Sequence, residues 1–180
     1  SPTLATSSAA SDVYKRQVFD RFELTRGDWL HYRSGPPHDP GFVADAAGFF
    51  PGRESWPAHF THAEALDIAS RRAMRLPTAR EWLYVAIGPR ASRYPGGQHL
   101  QASTANTLEL GLGRPAPVGT FASGVARPHG CHDMLGNVWE WVADPVPGPY
   151  PLPEETTLSL GGNDTFVSAM GGSYLSAARL

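Results

Sequence analysis

Between Asp133 and Trp141 the chain reads Asp-Met-Leu-Gly-Asn-Val-Trp-Glu-Trp, so that two acids, an amide and a pair of indoles share one short stretch. Gly136 and Asn137 tolerate positive φ and predict a tight turn. Val138 to Val142 reads as a β-branched and aromatic strand interrupted by one acid. Burying Glu140 between Trp139 and Trp141 is costly unless its carboxylate finds a partner. A hard cation is such a partner, since carboxylates and turn carbonyls are the oxygen ligands that calcium prefers. The alternative is a strand edge from which Glu140 points into water.

Other groups could carry chemistry. His129, Cys131 and His132 are of the types that hold zinc or copper. Neighbouring side chains on a strand or turn point to different sides, so packing is expected for all three, with Cys131 a small buried group. His59 and His62 bracket a predicted helix cap, where local hydrogen bonding is expected rather than a metal. Ser173 or Ser176 with a histidine could form a hydrolase, but the sequence has no Gly-x-Ser-x-Gly elbow. Trp82, Trp139 and Trp141 are expected in the core, each with one N–H partner.

The elements that must position these residues are partly legible. Thr25-Arg-Gly-Asp28, Thr61-His-Ala-Glu64 and Thr78-Ala-Arg-Glu81 share the spacing of a capping box and predict three helix starts. The first helix should bury Trp29, Leu30 and Tyr32. The second, from His62 to Arg72, carries Ala65, Leu66, Ile68 and Ala69 on or near one face. The third, from Ala79 to Ile87, should bury Trp82, Val85 and Ala86, with Pro77 just ahead of its cap. After Gly88 the period fades into short candidate strands, of which Pro117 to Phe121 is the best. A Pro-rich loop is expected from Pro145 to Glu155 and a last strand from Phe166 to Met170. Helices early and short strands late predict an α+β class.

With 180 residues, 41% of them hydrophobic, the chain can bury the core of one domain. Its 19 glycines and 17 prolines predict many turns and little regular structure. A net charge of −2 gives no reason to expect nucleic acid or an anionic membrane. No apolar run is long enough to span a bilayer, and no secretion signal is visible, so a cytoplasmic setting is the default. One cysteine allows no internal disulfide. Residues 1–17 are rich in Ser, Thr and Ala and are expected to be a disordered or non-native leader to a domain spanning 18–180. Asp12 to Gln17 looks like translated adaptor sequence.

The Asp133–Trp141 stretch also resembles the signature of the sulfatase-modifying-factor family, which includes formylglycine-generating enzymes and the matching domain of ergothioneine-type sulfoxide synthases. Arg75-Leu-Pro-Thr-Ala-Arg-Glu-Trp82, continuing Leu83-Tyr-Val-Ala86, resembles a second family motif at a helix start. Shorter echoes follow in family order at Tyr94–Gly97, Ala105-Asn106, Pro117–Phe121 and Gly171-Gly-Ser-Tyr174. The Met-Gly strand that opens family members is not visible, and the resemblance stops shortly after Tyr174. On that basis the chain is expected to be cut at both ends.

The resemblance implies a complex C-type-lectin-like fold. It also implies one calcium held by Asp133, the carbonyls of Gly136 and Val138, and Glu140. A second family calcium would use Asn106 and the Thr107 carbonyl, but its downstream Asp-Gly-Phe partner is missing, so that site is expected to be absent. Formylglycine-generating enzymes oxidise a sulfatase cysteine with two of their own cysteines and a copper ion. The first of these positions falls on Ser176, so copper is not expected here. Sulfoxide synthases carry their iron-binding histidines on a separate helical domain. The expected role is a non-oxidising binding or accessory domain. Trp139, Ser173 and Tyr174 would line a groove for a peptide or small molecule. The alternative is a fragment of an oxidase whose catalytic residues lie outside the chain.

Overall fold

A computed structural model describes residues 18–32, 53–145 and 167–178. Each predicted helix forms behind its predicted cap. In α1 (Arg26–Tyr32) the Thr25 hydroxyl donates to Asp28 at 2.6 Å and accepts from the Asp28 N–H. Both α2 (His62–Arg71) and α3 (Ala79–Ile87) carry complete capping boxes, Thr61 with Glu64 and Thr78 with Glu81. Each box satisfies two donors that the first helical turn leaves without an internal partner, and losing the threonine costs about 1 kcal/mol.

The boxes sit in different surroundings. Glu64 works at the surface, whereas Glu81 is buried and also receives both terminal nitrogens of Arg75 at 2.8 Å. The N–H of Ala79 is taken by the Asp144 carboxylate, which ties the start of α3 to the strand that follows the central motif.

Two apolar clusters fill the interior. Trp82, Val85 and Ala86 from α3 pack with Ala126, Cys131, Met134 and Val142. Trp29 from α1 packs with Ala58 and Ile68, flanked by the half-buried Leu24, Leu30, Tyr32 and Phe60. Leu66 departs from expectation: it is 47% exposed, because Ala65 and Ile68 alone define the inward stripe of α2 and position 66 is a third of a turn away.

Strands are few. β1 (Glu140–Pro145) pairs antiparallel with β2 (Val167–Met170), placing Glu140 beside Met170 and Trp141 beside Ala169, with an irregularity before Pro145. β1 thus begins two residues after its predicted start. The segment Pro117–Phe121 is not a strand. Gly119 adopts φ 75° and Thr120 N–H closes a turn on the Pro117 carbonyl, so this short run belongs to a loop. Between α3 and β1 the described chain carries 3-10 turns at Ala102–Thr104, Leu108–Leu110 and Ala122–Gly124. The leader at 1–17, Phe166 and the loop beyond Pro145 lie outside the described residues. Helices packed on a small sheet place the domain in the α+β class.

Candidate functional site

The central motif is held as a knot of turns. Asp133, Gly136 and Asn137 take φ of 56°, 77° and 59°, so three left-handed residues bend the chain twice before β1. Asn106 buttresses the second bend. Its carbonyl accepts from Asn137 N–H at 2.7 Å, and its side-chain amide donates to Asn137 Oδ1 at 3.0 Å. Asn106 Oδ1 is buried with no hydrogen-bond partner among the described residues. From the other side, Gly136 N–H reaches the Gly171 carbonyl and Tyr174 N–H reaches the Asn137 carbonyl, so the two distant motifs are stitched together.

Three carboxylates gather around this knot. Glu140 lies beneath Trp82, whose indole N–H donates to Oε2 at 2.8 Å. Burial nevertheless pushes the Glu140 carboxyl up to about 7, with Asp133 adding to the rise. Asp133 Oδ2 accepts from Gly119 N–H at 2.6 Å, and burial raises its pKa also. The third acid, Glu23, escaped the sequence reading. It accepts from Asn137 Nδ2 at 2.6 Å and from Val138 N–H at 3.3 Å. Its pKa is raised well above the ordinary value by burial, then by Glu140 and Asp133. The signal that could have found it is the one that marked Glu140: an acid set between large apolar neighbours, here Phe22 and Leu24.

Among the described residues no three His, Cys, Asp or Glu side chains converge as metal ligands. A cation here would therefore depend on main-chain oxygen. Among those residues neither the Gly136 nor the Val138 carbonyl accepts a backbone hydrogen bond, and Asp133 and Glu140 each engage a single oxygen. That oxygen-only donor set fits a hard cation such as calcium and not a soft one.

A cleft of about 1170 Å³ opens beside the knot. Glu23, Glu140, His132, Trp139, Ser173 and Tyr174 contribute to its wall. Trp139, expected in the core by its type and in a groove by the resemblance, is 56% exposed and contributes to the cleft, whereas Trp82 is 1% exposed and central to the core. Trp141 is half-buried and donates to the Phe60 carbonyl at 2.9 Å. Ser176 is absent from the wall. Its Oγ accepts from Ser173 N–H at 3.0 Å, and its carbonyl takes Leu108 N–H.

The histidines pack, as expected from their spacing. His132 stacks on Phe22 at 4.7 Å and His129 on Tyr84 at 5.3 Å, while Cys131 lies buried between them in sequence. Burial lowers the pKa of both rings and pushes the Cys131 thiol up to about 11. His62 does not make the expected local hydrogen bond: its buried Nε2 has no partner among the described residues, and the ring lies edge-on against Trp141 at 5.5 Å.

These features recur in known proteins. Residues 44–180 match the family described as sulfatase-modifying factor enzyme 1-like domain. A hercynine oxygenase of Mycolicibacterium thermoresistibile is 40% identical over 94 residues, covering 49% of this chain and 20% of that protein. A formylglycine-generating enzyme of Streptomyces coelicolor is 34% identical over 143 residues, covering 69% of this chain and 44% of that protein. The chain thus spans about a fifth of the first relative and under half of the second. The crystal structure of CarF superposes with a TM-score of 0.56 at 17% identity, over 98% of this chain and 84% of that one, which supports the fold. With residues 44–180, about three quarters of the chain, matching it, the chain belongs to the sulfatase-modifying factor enzyme 1-like domain family.

Proposed function

We propose that this domain is a calcium-stabilised, non-oxidising member of its family, with a complex C-type-lectin-like fold and a cleft that receives a peptide or small molecule. The observation that supports the calcium reading is the nearness of Glu23, Asp133 and Glu140 to one another beside the Gly136-Asn137 bend, each with its pKa raised chiefly by burial. Three ionised carboxylates in a poorly solvated space repel one another, and a divalent cation compensates for what protons would otherwise have to. Asp133, Gly136, Val138 and Glu140 would hold it, and Asn106 would brace the turn from behind. Bound there, calcium supplies charge compensation and rigidity, while Trp139, Ser173 and Tyr174 shape the neighbouring cleft.

Copper oxidation is disfavoured by the chain's own chemistry. Cu(I) requires thiolates, and the position matching the first family cysteine is Ser176, whose hydroxyl caps its own turn. The single cysteine, Cys131, is a buried thiol that stays protonated at neutral pH. A second reading rests on coverage. The matched hercynine oxygenases are about five times longer than the region aligned here, so oxidation could belong to groups elsewhere in a longer protein.

Calcium should raise the melting temperature with the logarithm of its concentration once that exceeds Kd, and Glu140→Gln should remove most of that gain. If EDTA leaves the parent's melting unchanged, the calcium reading is wrong. Conversion of a Cys-x-Pro-x-Arg peptide to its aldehyde by this chain would overturn the non-oxidising part.

A further inference from the structure

Eight large apolar side chains stay exposed among the described residues, and four of them, Val18, Phe22, Trp139 and Leu175, stand in the wall of the cleft. Scattered singly such residues need no explanation, but gathered about one opening they mark a surface suited to an apolar ligand. They come from three separate parts of the chain, which backbone bonds fix together. His132 N–H reaches the Arg21 carbonyl at 2.9 Å, and Tyr174 N–H reaches the Asn137 carbonyl at 3.0 Å.

The charged groups of the same wall are already engaged within the protein. Arg72 clasps Asp20 through both terminal nitrogens at 2.6 and 2.7 Å, and Arg75 clasps Glu81 in the same way at 2.8 Å. Glu140 holds the Trp82 indole N–H, and Glu23 holds the Asn137 side-chain amide and the Val138 N–H. A charged ligand would have to break one of these arrangements or enter without a partner, and an unpaired charge in a poorly solvated space is costly. A peptide is disfavoured on related grounds, because each of its own N–H and C=O groups needs a partner when buried. Ser173 offers little, since its hydroxyl is turned to Leu175 N–H and the Ser176 hydroxyl. The Tyr174 hydroxyl makes no hydrogen bond among the described residues, which leaves a place for one neutral polar group on a ligand.

We infer that the ligand of this cleft is an uncharged small molecule with a large apolar body, seated against Trp139 and Leu175. The cleft's volume of about 1170 Å³ suits such a body, since small-molecule sites commonly span about 300–1,000 Å³. This inference rests on the proposed function, in which the cleft receives a ligand and calcium compensates the neighbouring acids.

The test is fluorescence titration of the calcium-saturated protein at neutral pH with three probes of one shape: N-phenylnaphthylamine, its sulfonate and its quaternary ammonium analogue. The uncharged probe should saturate one site, and each charged analogue should bind at least about tenfold more weakly. Trp139→Ser and Leu175→Ser should each weaken the uncharged probe at least about threefold by removing apolar contact. Both variants should melt with the parent, because both side chains are exposed, and this separates lost binding from lost folding. A charged analogue that binds as tightly as the uncharged probe would overturn the uncharged class while leaving the cleft a binding site. The melting response to calcium, measured on the same sample, then tells whether the cation reading has failed with it. Unchanged affinity in both variants would place the probe elsewhere and overturn the inference. Saturation by none of the three probes would overturn it together with the receiving cleft of the proposed function.

Discussion

The indole N–H of Trp82, in the middle of α3, donates to the carboxylate of Glu140 at the start of β1, joining positions 58 residues apart at 2.8 Å. The core and the acidic knot therefore share one bond. Trp82 fills the larger apolar cluster with its ring while its only polar atom faces the acid.

Removing that donor should show the bond's charge. Trp82→Phe leaves a buried carboxylate without its indole partner, at a cost of roughly 1–3 kcal/mol beyond the packing loss. The deficit in denaturant-unfolding free energy of the calcium-free protein should be larger at pH 8, where Glu140 is ionised, than at pH 5. An equal deficit at both values would mean the bond contributes nothing that depends on ionisation.

The raised Glu140 pKa sets the sign of a second effect. A carboxyl with a folded pKa above its unfolded value contributes stability that is fully present below the unfolded value and lost as pH rises through the folded one. For Glu140 that window runs from its ordinary value of 4.5 to about 7. Glu23 and Asp133, also raised, act in the same sense, and His129 and His132, with lowered pKa, act in the opposite sense below about 6.5, so the parent's own pH curve mixes all of them. The difference between the parent and Glu140→Gln removes the histidine contribution and leaves Glu140 together with its repulsion of Glu23. Without calcium the two should melt together near pH 5, and the variant should be the more stable at pH 8 by on the order of 2–3 kcal/mol. Saturating calcium at pH 8 should reverse the order. A difference that does not vary with pH would remove Glu140 from the acidic knot.

Gly136 offers a comparison between strain and space. A methyl group there would meet both a left-handed φ of 77° and the Asn106 carbonyl, whereas at Gly111, with φ 71°, nothing lies within 4 Å of the added carbon. Gly111→Ala should cost about 1 kcal/mol from backbone strain alone, and Gly136→Ala several times that. Equal losses in denaturant unfolding would show that Asn106 does not brace the turn.

Cys131 should resist thiol reagents in the folded protein. It is 4% exposed, and its pKa is pushed to about 11, so at pH 8 little thiolate forms and less is reachable. Labelling by a chromogenic disulfide should be slow in buffer and fast in denaturant. Rapid labelling of the native protein would contradict the buried placement.

What was legible in the sequence was what is local. The threonine caps of all three helices could be read because each box closes within four residues, and the Gly136-Asn137 bend because two residue types tolerate its dihedral angles. Pro117–Phe121 misled because a short apolar and β-branched run does not distinguish a strand from a loop whose hydrogen bonds go elsewhere, here from Gly119 to Asp133. Leu66 misled because a helix of ten residues buries a stripe narrower than its apolar content. Glu23 was missed because its partners, Asn137 and Val138, lie more than a hundred positions along the chain. Residue type alone pointed Trp139 inward and only the resemblance put it in the groove; the indole that is buried and bonded to Glu140 is Trp82.

Glu23 reaches the knot from the N-terminal side. Asp20, bonded through both oxygens to Arg72, and Arg21, whose carbonyl takes His132 N–H, pin the segment that carries it. The last acid of the trio can therefore be seated only after loops of 50 to more than 100 residues have closed, and closing such loops is slow compared with forming the helices. On that ground the knot is expected to close after the helices, and pulsed hydrogen exchange should protect the α3 amides before that of Asn137.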